Sequence, residues 1–423
     1  MPSINFSVEL NGLIPIEEPL KLDASWLMAK DLNLKSRLTR DRIGFYDWPK
    51  QIPESLPSQI NQMASDLRKT SEATLIIGIG GSQLGPALIL DSCRSLKDQE
   101  EHPIHWLANV EAHSIRQAEA FITKHSPCSA IVISKSGSTF ETLSGFLHLS
   151  QHFTRDNTVI ITDPHEGLLR TLATDQAWRS LEVPSQLGGR FSVLSSVGLM
   201  PAALGGISPE QLLSGASAMR DYFDGIQPKD NPAYLLAAHL HYWDQSAKHP
   251  IQYLMPYHSE LRLLSDWFVQ LWGESLGKIN AQGVAVGPTP ATALGTRDQH
   301  SLLQLIKEGP RDKVVGFVTI EPQPTDPVFR APAFKAATWN AMDGLSFGKM
   351  ALTAALATET SLRNSGIPSF RIHLKTLDAK TLGSLLFFFE TACGFAGELY
   401  DVNAYDQPGV EDSKTIFRKL LSG

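Results

Sequence analysis

Cysteine is scarce in this chain. Cys93, Cys128 and Cys393 are the three in 423 residues, an odd number at wide spacing that supplies neither a disulfide frame nor a zinc site. Such usage is expected of reduced thiols in a cytoplasmic protein. Basic residues are not in excess either: 37 Lys and Arg stand against 44 Asp and Glu, for a net charge of −7. That balance gives no global attraction to nucleic acid or to an anionic membrane. A site for an anionic ligand is therefore expected to be locally positive against an acidic background. No apolar run is expected to reach the length of a membrane span. Residues 1–20 carry acids where a secretory signal has a basic start and an apolar core. Metal-site patterns are missing as well. His148 and His152 have helical spacing without the H-E-x-x-H glutamate, and His239 and His241 have no evident third ligand.

What is present is size and alternation. A chain of 423 residues buries about three quarters of its extended surface and divides into roughly two to three domains. Its centre of organisation is Ala130-Ile131-Val132-Ile133-Ser134-Lys135-Ser136-Gly137-Ser138-Thr139, followed by Phe140-Glu141-Thr142-Leu143. A β-branched run stops at hydroxyls, a lysine and a glycine, and a helical pattern follows at once. The spacing predicts a buried strand, a tight turn and a helix N-terminus. Helix starts leave N–H groups unpaired and favour negative charge. One cap needs one hydroxyl, whereas Ser134, Ser136, Ser138 and Thr139 supply four. A phosphate suits such a turn.

Similar units surround it. Strands are expected at 74–80, 105–110 and 158–163, with helices from 86, near 113–124 and near 140–153. Four-to-eight-residue strands alternating with helices imply an α/β fold with a mostly parallel sheet covered on both faces. Ligands bind such sheets at the carboxyl ends of strands, where Gly80-Gly81-Ser82 and Ser134 to Thr139 both fall. The alternation breaks over 174–207. A second series then has helices near 209–222, 231–246 and 259–272, a loop at 281–297 and strands at 251–256, 313–320 and 369–374. Further helices are expected near 341–362, 379–399 and 410–421. The domains expected are an extension at 1–50, units at 51–200 and 201–400, and a C-terminal loop and helix at 401–423.

Several other residues can carry chemistry. Gly78-Ile79-Gly80-Gly81-Ser82-Gln83 fails the G-x-G-x-x-G spacing, and no G-x-x-x-x-G-K-[ST] run occurs. Its paired glycines either make a tight turn or let a ligand approach backbone N–H groups. Arg190, behind Gly188-Gly189, is either a surface ion-pair partner or a fixed positive charge for an oxyanion. Glu274 ends an apolar helix beside Trp272 and between glycines, as a solvated acid or as a partly desolvated base. Ser275 and Lys278 form S-x-x-K without S-D-N or K-T-G, so an acyl-enzyme is set aside. His300 follows the Gly/Thr-rich loop with the side chain best suited to moving a proton near neutral pH. Lys414, just inside the terminal helix, is either solvated or within reach of a sugar oxygen.

In conjunction these runs resemble the glucose-6-phosphate isomerase family, in its shorter bacterial form. The matching runs are Gly78 to Ser82, Ser134 to Thr142, Gly188-Gly189-Arg190-Phe191-Ser192, Gln270 to Ser275, Gln299-His300, and Gln407-Pro408-Gly409-Val410-Glu411 with Lys414. They lie in order over positions 78–414. Asp412-Ser413 precede Lys414 where many members carry Leu-Gly. The resemblance implies two sugar-isomerase-type (SIS) α/β/α sandwich domains, a cytoplasmic homodimer, and interconversion of glucose 6-phosphate and fructose 6-phosphate in glycolysis and gluconeogenesis. It implies no metal or organic cofactor and no nucleic-acid or membrane partner. By that likeness Ser134, Lys135, Ser136 and Thr139 hold the substrate phosphate, Gly81 and Ser82 line the sugar site, and Gln270 and Gln407 order the substrate. Glu274 matches the proton-transfer base and Arg190 the group facing the intermediate. His300, from the partner subunit, and Lys414 match the ring-opening pair. A sugar-phosphate-binding regulator needs only the anion pocket, and a mannose or amino-sugar phosphate isomerase keeps the whole set.

Overall fold

The computed structural model describes residues 5–11, 24–93, 102–330, 339 and 342–421. In chain order the strands are β1 (Phe6–Asn11), β2 (Ala73–Ile77), β3 (Ile104–Leu107), β4 (Cys128–Ser134), β5 (Thr158–Thr162), β6 (Arg179–Glu182) and β7 (Ile251–Pro256). They continue as β8 (Lys278–Ile279), β9 (Ala285–Val286), β10 (Thr289–Thr292), β11 (Lys313–Ile320) and β12 (Ser369–Leu374). Two five-stranded sheets result, ordered β3-β2-β4-β5-β6 and β1-β12-β11-β7-β10. Every pair in the first is parallel, as is every pair in the second except antiparallel β1–β12. β2, β4, β5 and β11 are buried at every residue. That is the condition of central strands with helices on both faces, and the reason their sequences are continuously apolar. The expected α/β architecture is therefore present.

The departures fall at sheet edges. The stretch 174–207, expected to break the alternation, contains β6, half of it only partly buried. The loop expected at 281–297 contains β10, which carries Pro290. Edge strands have one solvated side and tolerate proline, so neither shows a long apolar run. β2 ends at Ile77, short of the glycines, and Gly80–Ser82 forms a 3₁₀ turn before the helix Leu84–Ser92. The helix expected from 341 is Phe347–Asn364; position 341 lies outside the described residues. The first 50 residues supply β1, which zips onto β12 from Phe6 opposite Leu374 to Asn11 opposite Ser369.

One helix corrects the expectation about apolar runs. Ala379–Tyr400 has 22 residues and contains an 18-residue window of mean hydropathy 1.3, enough in length and composition to cross a membrane. All of that apolar window is buried inside the protein. Its Phe387, Phe388 and Phe389 belong to one core cluster that also holds Ile131 and Ile161 from the first sheet and Val314 and Val318 from the second. The helix is hydrophobic all round because the protein surrounds it. Its Glu390 is fully enclosed, with no partner at Oε1 among the described residues, and burial lifts that carboxyl well above the usual carboxylate range.

His239, on helix Pro232–Gln245, is the basic counterpart. It is 2% exposed, and burial pulls its imidazole from 6.5 down to about 4, against a smaller upward pull from the Ser369 backbone. The unfolded chain therefore binds a proton at this site that the folded one refuses. Stability from His239 is expected to be complete above pH 6.5 and to be lost as pH falls toward about 4, a loss of about 3 kcal/mol. Urea unfolding of the wild type and His239→Gln across that window checks this. Parallel acid limbs in the two proteins would remove His239 as a cause.

Candidate active site

Strand order locates the site. From β2 the chain moves outward to β3, then back across β2 to β4, so the order reverses between β2 and β4. A crevice opens at such a switch point outside the carboxyl ends of the strands. Gly80–Ser82 follows β2 and Lys135–Thr139 follows β4, and both line one cavity of about 550 Å³.

The turn after β4 is shaped by its glycine and hydroxyls. Gly137 has φ +62°, and a Cβ there would sit 2.8 Å from Thr162 Oγ1. Its N–H bonds Ser134 O at 3.0 Å. Thr139 is the N-cap of helix Phe140–Leu149, yet its hydroxyl makes no cap hydrogen bond. Instead Oγ1 lies 2.9 Å from Ser134 Oγ and 3.5 Å from Ser136 Oγ. Helix N–H groups thus remain for an anion, with the linked Ser136 and Thr139 hydroxyls beside them on the cavity wall. Lys135 donates to Ser185 O at 3.2 Å; burial pulls its ammonium below the usual lysine range, with Asp163 pulling partly back.

The opposite wall is one face of helix Arg262–Leu276. Leu264, Ser265, Trp267, Phe268, Leu271, Trp272, Ser275 and Leu276 are buried, a 3.6-residue stripe that leaves Gln270 and Glu274 one turn apart on the other side. Trp272 does not shield Glu274. Two residues apart on a helix point to different sides, and Trp272 packs into the core, 4.6 Å from Phe268 and 6.2 Å from Phe389 between ring centroids. It anchors the helix. The half-buried Glu274 carboxylate is instead held by polar groups: Arg190 Nη1 donates to Oε2 at 3.2 Å and Gln270 Nε2 to Oε1 at 3.3 Å.

Arg190 is not a surface cation. Its side chain is 3% exposed against 34% for Glu274. Nε donates to Ser275 Oγ at 2.6 Å, and Nη2 to Ala404 O at 2.5 Å and Asp406 O at 2.8 Å. The guanidinium is fixed by groups behind it while Nη1 faces the cavity. Neighbouring Phe191 is held by Phe45 and Tyr405, with centroids 4.9 and 5.3 Å away. Gly81 brings the two turns together. A Cβ on it would lie 2.5 Å from Gly189 O, so only glycine permits this approach.

The C-terminal segment closes the third side with Tyr405, Gln407 and Lys414. Lys414 is on helix Glu411–Leu421 and pairs with Glu411 Oε1 at 2.7 Å. Asp412 occupies the first turn of that helix, where a negative charge suits the dipole. Phe417 meets Phe140, on the helix of the serine-rich turn, with centroids 4.8 Å apart.

The sequence profile of the family described as phosphoglucose isomerase matches residues 64–422. The chain belongs to the phosphoglucose isomerase family. A glucose-6-phosphate isomerase of Carboxydothermus hydrogenoformans is 33% identical over 408 residues, covering 92% of this chain and 87% of that protein. A solved hypothetical protein of Thermus thermophilus superposes with a TM-score of 0.89 at 31% identity, over 99% of this chain and 100% of that one. A solved glucose-6-phosphate isomerase of Chlamydia trachomatis shares the fold, with a TM-score of 0.74 at 22% identity over 87% and 73%. The two sheets are thus sugar-isomerase-type sandwiches.

Against the family's pattern, the fold brings Gly81, Ser82, Lys135, Ser136, Thr139, Arg190, Gln270, Glu274, Gln407 and Lys414 to one cavity. Ser134 is not on its wall; it is buried and supports Thr139 from behind. His300 is exposed, on the turn Arg297–His300, and does not line the cavity of its own chain. Lining residues that the sequence reading misses are Asp163, Glu166 and Tyr405. Asp163 directly follows β5, the neighbour of β4, so the strand-end rule is the signal that could have found it. The expectation of a positive site also needs correction. Lys135, Arg190 and Lys414 share the wall with Asp163, Glu166 and Glu274. Asp163 is quenched by the N–H groups of His165 and Glu166 and by the Ser185 hydroxyl. An anion entering this cavity would therefore meet N–H groups and hydroxyls as much as net charge. Among the described residues no group of three or more His, Cys, Asp or Glu converges as a metal site.

Proposed function

We propose that this chain interconverts D-glucose 6-phosphate and D-fructose 6-phosphate, opening the ring and moving a proton between C2 and C1 through a cis-enediolate. The observation that carries the reading is the Glu274–Arg190 pair at 3.2 Å, in the cavity that also holds the serine-rich turn. Lys135, Ser136, Thr139 and the helix start hold the phosphate, with Ser134 orienting Thr139. Gly81 and Ser82 allow the sugar close to backbone N–H groups, and Gln270 and Gln407 order its hydroxyls.

Glu274 removes the C2 proton beside the C1 carbonyl and returns it to C1. One carboxylate serves both positions because the carbons are adjacent and the intermediate is nearly planar. The enediolate charge develops toward Nη1 of Arg190, whose remaining N–H groups are already engaged and need no reorganisation. Lys414 acts in ring opening with His300. Because His300 lies outside its own chain's cavity, the reading has a second copy supply it, in a cytoplasmic homodimer serving glycolysis and gluconeogenesis.

The test follows release of C2 hydrogen into solvent while purified protein acts on several aldose 6-phosphates. Glucose 6-phosphate should turn over fastest, with label lost to water. Binding without turnover would leave a regulator, and faster mannose 6-phosphate turnover would change the substrate. Co-expressing His300→Ala with Glu274→Gln tests the shared site. Random pairing of two dead chains should restore about a quarter of the sites, since half the dimers are mixed and each has one intact site. No recovery would return His300 to its own chain.

A further inference from the structure

A second buried cation stands behind the site. Lys278 opens β8, two residues beyond the helix that carries Gln270 and Glu274. Its side chain is 8% exposed, although lysine normally keeps its ammonium in water. Its Nζ donates to Asn403 O, to Asp406 O at 2.7 Å and to Asp406 Oδ1 at 2.7 Å. Arg190 Nη2 reaches the same turn through Ala404 O and Asp406 O. Two cations therefore grip the backbone carbonyls of one short loop and share the Asp406 oxygen. Within the loop, Asn403 Nδ2 donates to Asp406 Oδ2 at 2.8 Å and Asn403 Oδ1 accepts from Tyr405 N at 3.1 Å.

The loop leads straight into the cavity wall. Gln407 is the next residue, and Pro408–Val410 runs directly into the helix bearing Lys414. That helix has no buried residue; besides the contact of Phe417 with Phe140, the segment that delivers it sets where its first turn lies. We propose that Lys278 is a positioning residue: it clamps the 403–406 turn, sets Gln407 and Lys414 at the cavity, and leaves the Arg190 Nη1 edge to Glu274. This deepens the isomerase reading and rests on it for the role of Lys414. The S-x-x-K spacing, set aside as an acyl-enzyme motif, thus has another meaning. Ser275 holds Arg190 and Lys278 holds the loop, both from behind the chemistry.

The experiment compares the full-length wild type with Lys278→Met, Lys278→Arg and Asp406→Asn. Loss of hydrogen bonds to a charged group should raise amide exchange over 402–410 by about tenfold or more in Lys278→Met, with β4 and β11 unchanged. KM for glucose 6-phosphate should rise by about tenfold, and exchange between its anomers should slow more than C2 hydrogen loss from the open chain. Lys278→Arg should recover most of both. Asp406→Asn, which leaves the lysine in place, should move the same amides to a smaller extent and covers the case of a poorly folding Lys278→Met. Unchanged protection over 402–410, or a lowered Tm with KM and anomer exchange intact, would overturn the clamp. If the wild type itself fails to isomerise hexose 6-phosphates, the activity reading falls, and amide exchange still decides the clamp.

Discussion

Glu274→Gln is expected to lower kcat by about 10²–10⁴-fold, the usual contribution of a positioned general base. The substitution keeps length and shape. Its amide oxygen can still accept from Arg190 Nη1, now 3.2 Å from Oε2, and the stripe that buries the opposite face of the helix is untouched. KM should change little, because the phosphate turn and Gln407 lie on other elements. What disappears is the lone pair that takes the C2 proton. Rate and label loss should therefore fall together, while anomer exchange, which the proposal assigns to His300 and Lys414, should persist. A folded variant with kcat near that of the wild type would remove Glu274 as the base.

Arg190→Lys should be nearly as damaging, by about 10²–10³-fold in kcat, the range for removing one preorganised donor facing a developing oxyanion. The guanidinium serves four partners in different directions at once: Glu274, Ser275, Ala404 O and Asp406 O. An ammonium has three donors on one atom and cannot span them. A buried acceptor left unpaired costs about 1–3 kcal/mol, so a lower Tm is expected too. The two losses are separable. Kinetics below the shifted Tm should still show a depressed kcat, whereas a raised KM with native kcat would make Arg190 a binding residue only.

Much of the fold is legible in the chain itself. Central strands announce themselves because burial on both faces demands continuous apolar sequence, as in Cys128–Ser134. The serine-rich turn is legible because four hydroxyls exceed what a cap requires. β6 and β10 are not, since edge strands lack that demand. The environment of Glu274 is not either, because Trp272, close in sequence, diverges from it on the helix. Lys278 looks like half of a nucleophile motif, and only its burial against carbonyls from beyond residue 400 shows an anchor.

By itself the sequence determined the central strands and main helices, the phosphate-suited turn and the candidate proton carriers, because these follow from local spacing and side-chain chemistry. Tertiary structure alone decided the rest. Strand order put the turns after β2 and β4 on either side of one crevice. Packing of the apolar stripe turned Gln270 and Glu274 toward that crevice, and burial at the end of β4 left Ser134 behind it. Contacts from position 190 to 274 and 406 are set by long-range burial, and no local pattern encodes which distant carbonyls a buried cation will find.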